Sequence, residues 1–150
     1  MADRLTYLGV VSALLHRLYA RNLARRTERF GVTPGQFAVF AVLMDVERCT
    51  QAELSQLAEV EQPTMAVTLK RMERDGLIVR HPDPTHGRRQ LIELSPQARE
   101  VSDNVVEETR KLQALATEGL SRKEVAEFMR VAGVMIENLR ESATRPPDAD

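Results

Sequence analysis

The stretch from Thr50 to Leu94 constrains the fold most, because it places a helix start, a tight turn, a second helix and a charged hairpin in immediate succession. Thr50-Gln51-Ala52-Glu53 has the form of a capping box: the threonine hydroxyl takes an orphan backbone N–H, and the glutamate three residues on reaches back to the cap. Leu54, Leu57 and Ala58 follow at the i, i+3, i+4 spacing of one buried helix face, and the pattern breaks at Val60-Glu61. A second helix begins at Gln62-Pro63, since proline at the first helical position forfeits no hydrogen bond. Met65, Leu69 and Met72 line its inner face, leaving Gln62, Thr64, Val67, Thr68 and Arg71 on the outer one. Asp75-Gly76 ends it with a left-handed cap residue, and Leu77-Ile78-Val79 opens a strand. Arg80 to Arg89 then forms a Pro- and Gly-rich turn with cations at its tip and sides, and Gln90-Leu91-Ile92-Glu93-Leu94 returns as a second strand.

A helix-turn-helix followed by a basic hairpin is the pattern of a winged-helix DNA-binding unit, and outward glutamine, threonine and arginine are side chains that read base edges. Leu54-Ser55-Gln56-Leu57-Ala58, Gln62-Pro63-Thr64, the run Leu69 to Ile78, and Asp83 to Arg89 followed by Leu94-Ser95 occur in an order and spacing that resembles the MarR (multiple antibiotic resistance regulator) family of bacterial transcription factors. The resemblance covers nearly the whole chain. The expected fold class is mainly α with a small β wing: a winged helix-turn-helix module plus N- and C-terminal dimerisation helices.

The chain has 150 residues, 43% of them apolar and 29% charged, which suits one soluble globular domain. No apolar run approaches the roughly 20 residues of a membrane span, and Met1-Ala2-Asp3-Arg4 leads into an amphipathic pattern rather than a secretory signal. A cytoplasmic protein is expected. Net charge is −1, yet between Gln62 and Gln90 six cationic residues face three acidic ones, so a locally positive surface sits on a neutral chain.

Leu5, Leu8, Val11, Leu14, Leu15 and Leu18 mark one face of a first helix from about Arg4 to Glu28. Arg17, Arg21, Arg25, Arg26 and Arg29 give its second half a cationic surface, read as a solvated face whose stems cover apolar neighbours. Phe30-Gly31-Val32 ends this helix, and Thr33-Pro34-Gly35-Gln36 is a further capping box, opening a helix that buries Phe37, Phe40, Ala41 and Met44. Asp45 to Cys49 reads as a connection. Ser95-Pro96 opens a fifth helix through Ala98, Val101, Val105, Thr109, Leu112 and Ala116. Gly119 interrupts it, and Ser121 to Glu124 caps a sixth with Val125, Phe128, Met129, Ala132, Met135, Ile136 and Leu139 on one side. The expected layout is a single unit over residues 1–142, with dimerisation helices at about 4–29 and 96–142, the winged module at about 34–94, and a flexible tail at 143–150. The long apolar stripes exceed what so small a module can hide, which predicts a homodimer.

The resemblance implies that the helix from Gln62 to Asp75 enters the major groove of double-stranded DNA. Gln62, Pro63 and Thr64 then lie at its N-terminus, Val67, Thr68 and Arg71 continue the face, and Lys70 on the flank meets phosphate. Glutamine there can address adenine through its paired donor and acceptor. In the wing, Arg88 matches the arginine that enters the minor groove, with Arg89 beside it, and Asp83 matches the aspartate that braces the hairpin. His86 departs from the pattern, replacing a second aspartate; it cannot make that ionic brace, and its protonation would repel Arg88, making binding pH-sensitive. The resemblance also implies a repressor that is released from a pseudo-palindromic operator by a small aromatic or anionic effector, for which Tyr7, His16, Tyr19, Phe37 and Phe40 are the candidate walls.

No hydrolytic triad, phosphate-cradling glycine loop or metal-ligand spacing occurs, so neither an enzyme, a cofactor nor a metal is expected. The rival readings are a helical interaction protein without DNA binding, and a metal- or redox-responsive variant of the same regulator. The lone Cys49, next to Arg48 and a helix start, would carry the redox response.

Overall fold

The computed structural model describes residues 7–144 and divides into two compact units, one ending at Leu112 and the other starting at Gln113. In the first, α1 (Leu8–Thr27) is followed by a 3-10 turn (Glu28–Phe30), α2 (Pro34–Asp45), β1 (Arg48–Thr50), α3 (Gln51–Leu57), α4 (Gln62–Arg74), β2 (Ile78–Pro82), β3 (Gln90–Leu94) and most of α5 (Pro96–Ala116). The second holds the end of α5 and α6 (Arg122–Thr144). Leu5 and the expected helix start near Arg4 lie outside the described residues, as does the tail from residue 145.

The capping boxes form as read. Thr50 N and Oγ1 both donate to Glu53 Oε2, at 2.7 and 2.8 Å, and Glu53 N donates back to Thr50 Oγ1 at 3.3 Å. Ser121 and Glu124 repeat the arrangement at the start of α6. Glu61 is the N-cap of α4, so Pro63 falls second rather than first in the helix, still within the turn whose N–H groups have no intrahelical acceptor. At the other end of α4, Leu77 N donates to Met72 O (2.8 Å) and Gly76 N to Glu73 O (3.1 Å). This Schellman closure requires the positive φ of 72° that Gly76 adopts.

Met65, Leu69 and Met72 on α4 are completely buried, as their spacing predicts, and join Val39, Phe40, Leu43, Leu54, Ile92 and Leu94 in one core. Two helix faces depart from expectation. Along α2 the buried positions are Gln36, Val39, Phe40 and Leu43; Phe37 and Met44 are half-buried and Ala41 is exposed. Phe37 to Met44 is apolar on every side, so periodicity could not select the inward face. On α3, Leu54 is buried but Leu57 is 53% exposed, because the helix ends at that residue and its last turn leaves the core.

The sheet has the order β1-β3-β2, all antiparallel. Its first strand replaces the connection expected at Asp45 to Cys49: Arg48 pairs with Glu93, Cys49 with Ile92 and Thr50 with Leu91. Three residues bonded to a partner some forty positions away carry no local signal of strand. β2 runs on to Pro82, which pairs with Gln90, so Arg80 and His81 are strand residues rather than part of the turn.

Polar clamps hold these elements together. The Gln36 amide, 4% exposed, accepts from Thr33 N and Oγ1 through Oε1 (3.0 and 2.9 Å) and donates from Nε2 to Asp75 Oδ2 at 3.0 Å, tying α2 to the C-cap of α4. Gln36→Ala is expected to lower stability by about 1–2 kcal/mol in urea denaturation, because it strands a buried cap as well as deleting bonds. Ser95 Oγ donates to Gly76 O (2.6 Å) and accepts from Ala98 N (3.0 Å), fixing the start of α5 against the end of α4.

Part of the arginine run on α1 has a specific destination. Arg26 Nη1 and Arg29 Nη2 reach the nearly buried Glu108 of α5 at 3.3 and 2.9 Å, and Lys111 Nζ joins at 3.1 Å. Lys111 first, then Arg26 and Arg29, hold the Glu108 carboxyl below the ordinary glutamate range. A depressed carboxyl stabilises the fold fully above its unfolded pKa of about 4.3, and that contribution is lost as pH falls through the folded value. Glu108→Gln should therefore melt lower than the parent chain at pH 7, and the two melting curves should converge as acidification protonates the folded carboxyl. A constant gap throughout that acidification would contradict the assignment.

Candidate nucleic-acid interface

The second helix of the helix-turn-helix presents Gln62, Pro63, Thr64, Val67, Lys70 and Arg71 to solvent, with Thr68 half-buried among them. Thr64, Val67, Thr68 and Arg71 stand at i, i+3, i+4 and i+7, one continuous face opposite Met65, Leu69 and Met72. Val67 is 52% exposed, an apolar group with no core role at the centre of that face.

The wing turn is built by Asp83. Its Oδ1 accepts from Thr85 N at 2.8 Å and Thr85 Oγ1 at 2.6 Å, its own N donates to Arg89 O, and its carbonyl accepts from His86 N. Those Thr85 bonds, with a smaller contribution from His86, hold the Asp83 carboxyl below the usual aspartate range. Thus Asp83 secures the backbone of the hairpin. His86 Nδ1 lies 3.1 Å from Thr85 Oγ1, so the histidine is drawn into the turn's own hydrogen bonding.

Between the N-termini of α3 and α4 and the wing lies a cleft of about 600 Å³, lined by Thr50, Gln51, Ala52, Glu53, Gln62, Arg80, Arg88, Arg89 and Gln90. Three guanidinium groups against the single Glu53 carboxylate make it electropositive. Arg80 is partly engaged, its Nε 3.2 Å from Glu73 Oε2. Bonds from Thr50 chiefly, and then the charge of Arg89, depress the Glu53 pKa. Gln51, Arg80 and Gln90 were not singled out in the sequence; they reach the cleft because the β1–β3 pairing sets the wing beside the start of α3. The one available signal was that Gln51 directly follows the capping threonine.

The five candidate effector residues differ in burial. Phe40 is wholly enclosed in the core, Phe37 and Tyr19 are half-buried, and Tyr7 and His16 are exposed on or beside α1. A cleft of about 310 Å³ at the C-terminal end of α1, lined by Ala24, Arg25, Glu28, Gly31, Val32, Thr33 and Pro34, includes none of them. Cys49 is 6% exposed, and burial, with Glu53 adding to it, pushes its thiol up to about 11. At pH 7 only roughly one in 10⁴ such thiols is ionised, so the electropositive environment of a reactive cysteine, which Arg48 and the helix start suggested, is not what surrounds it. Among the described residues no group of three His, Cys, Asp or Glu is placed to hold a metal ion, and no helix is long and apolar enough to cross a membrane.

Residues 30–89, from the turn before α2 to the wing arginines, match the model of the MarR family. Over this span the chain is similar to the MarR family. A Thauera aromatica protein named for transcriptional regulation of the hcr operon is 30% identical to this chain over 80 residues, 53% of this chain and 46% of that one. The chain spans about half the length of the curated relatives it matches. Among solved structures, a probable transcriptional regulator from Pseudomonas aeruginosa has a TM-score of 0.77 at 27% identity, over 86% of this chain and 96% of that one. A cysteine-to-serine mutant of MarR from E. coli, complexed with operator DNA, has a TM-score of 0.79 at 21% identity over 85% and 92%. These likenesses establish the winged-helix fold, and the members of this family are transcriptional regulators rather than enzymes.

Proposed function

We propose that this chain is a MarR-type, sequence-specific DNA-binding regulator of transcription, a repressor that grips a pseudo-palindromic operator as a homodimer. The observation that carries the proposal is the exposed face of α4, Gln62, Thr64, Val67, Thr68 and Arg71, standing next to an arginine-lined cleft and a wing tipped by Arg88. A helix N-terminus offers positive partial charge to phosphate, the polar side chains match base edges, and the Val67 isopropyl group suits a thymine methyl. Arg88 is exposed at the hairpin tip, where a narrow A·T-rich minor groove would attract it.

Homodimerisation is supported by the helices that flank the winged module. Leu8, Val11, Leu14, Leu15 and Leu18 on α1 are each exposed by 36% or more. On α6, Phe128, Met129, Ile136 and Leu139 are exposed by 47% or more. Apolar rows of this length are costly to leave in water, and a second copy supplies the matching surface. Two-fold symmetry then sets two copies of α4 about 34 Å apart, one turn of B-DNA. Release by a small aromatic or anionic effector completes the proposal; Tyr7, His16 and Tyr19 lie on or beside the α1 surface that the second copy would cover. The effector must favour a dimer whose reading helices are spaced wrongly for DNA.

Selection of bound duplexes from a randomised pool tests this reading. The expected product is an inverted repeat with half-sites one helical turn apart; recovery of unrelated sequences would overturn it.

A further inference from the structure

The two helices of the helix-turn-helix are joined at their first residues by an exposed amide pair. Gln51, the first residue of α3, donates from Nε2 to Oε1 of Gln62, the first residue of α4, at 3.3 Å, on the wall of the arginine-lined cleft. We propose that Gln51 is a positioning residue that sets which base Gln62 reads; the inference rests on α4 being the DNA-reading helix.

Both ends of the pair stand on fixed backbone. Thr50, the residue before Gln51, is held by its capping box with Glu53 and by its pairing with Leu91 in the sheet. Gln62 starts a helix whose inner face is completely buried and whose far end is clamped by Gln36 through Asp75. The relative position of the two amides is therefore set by the core, and only side-chain rotation is left to choose.

A carboxamide is planar, with its acceptor and its two donor hydrogens on opposite sides. Turning Gln62 Oε1 toward Gln51 turns Nε2 away from it. The outward group is then a donor, which suits O6 and N7 of guanine or O4 of thymine; adenine offers it N7 alone beside an unmatched amino group, and the amino group of cytosine matches it poorly. An untethered glutamine would instead present both functions side by side and favour adenine. Gln51 thus converts a residue whose type alone suggests adenine into a reader of guanine or thymine.

The test is duplex selection with the full chain, its Gln51→Ala and Gln51→Glu variants, and Gln62→Ala to locate the base pair concerned. The parent chain should favour guanine or thymine at one pair in each half-site by about fivefold or more. Gln51→Ala should move that one pair toward adenine. Gln51→Glu, whose carboxylate only accepts, should draw Nε2 inward and turn Oε1 outward, favouring cytosine or adenine at the same pair. The added negative charge lowers affinity for every sequence, so the base preference and not the affinity is the readout. The same base at that pair in the parent and both Gln51 variants, or a uniform loss of affinity with no change of base, overturns the inference while leaving the regulator intact. Failure of the parent chain to select any sequence overturns the DNA-reading role and this inference together.

Discussion

Phe40→Ala should cost about 3–5 kcal/mol of stability, measured as the shift in urea denaturation, because it empties the largest wholly enclosed side chain of the core. Domains of this kind have only about 5–15 kcal/mol in hand, so the variant would sit near the edge of folding at ordinary temperature. The reason is positional. α2 packs against both α3 and α4, so a void under Phe40 removes support from the helix whose outer face carries the proposed reading residues. A loss below about 1.5 kcal/mol would mean that the core relaxes around the missing ring. The close packing ascribed here to α2 would then be wrong.

Removing both wing-tip cations, Arg88→Ala with Arg89→Ala, should weaken specific DNA binding by about 10- to 100-fold at moderate salt and reduce the slope of log affinity against log salt by about two. Both side chains are exposed and neither packs in the core, so the melting temperature should stay where it is. Anisotropy titrations over a salt series check both parts. An affinity change within about twofold would remove the wing from the interface and confine recognition to α4.

The helix-turn-helix was legible because its signals are local. Thr50 and Glu53 are three residues apart, Pro63 marks the start of α4, Gly76 marks its end, and Met65, Leu69 and Met72 repeat at helical spacing; each prints its structural role within one or two turns of chain. What escaped was non-local. β1 is a strand only because Arg48 to Thr50 find Glu93 to Leu91, and that pairing brings Arg80, Gln51 and Gln90 around one cleft. The inward face of α2 was missed for a different reason: a helix apolar all round leaves the choice to its neighbours, and Gln36, the polar residue that clamps Asp75, was visible only as part of a cap. Arg26 and Arg29 likewise read as solvated until Glu108, some eighty residues on, supplied their partner.

The proposed effector walls show the limit of residue-type reasoning. Aromatic side chains with polar tips suit a ligand pocket, yet Phe40 belongs to the core and Tyr7 lies open to solvent. In the proposed dimer Tyr7, His16 and Tyr19 would line a pocket only together with the second copy, to which one chain points only through its exposed leucines. His86 is the counterpart in the wing. As a departure from the family pattern it suggested a weakened brace, but the hairpin is secured by Asp83 and Thr85, leaving Arg88 exposed at the tip.

The most direct measurement of the central claim is a titration of the purified chain against DNA from immediately upstream of its own gene and against the same DNA scrambled, each at two salt concentrations. The account predicts tight binding to the upstream fragment only, weakening steeply as salt rises and counterions compete for the phosphates. No binding to either DNA at low salt would contradict it, leaving a helical interaction protein as the reading to pursue.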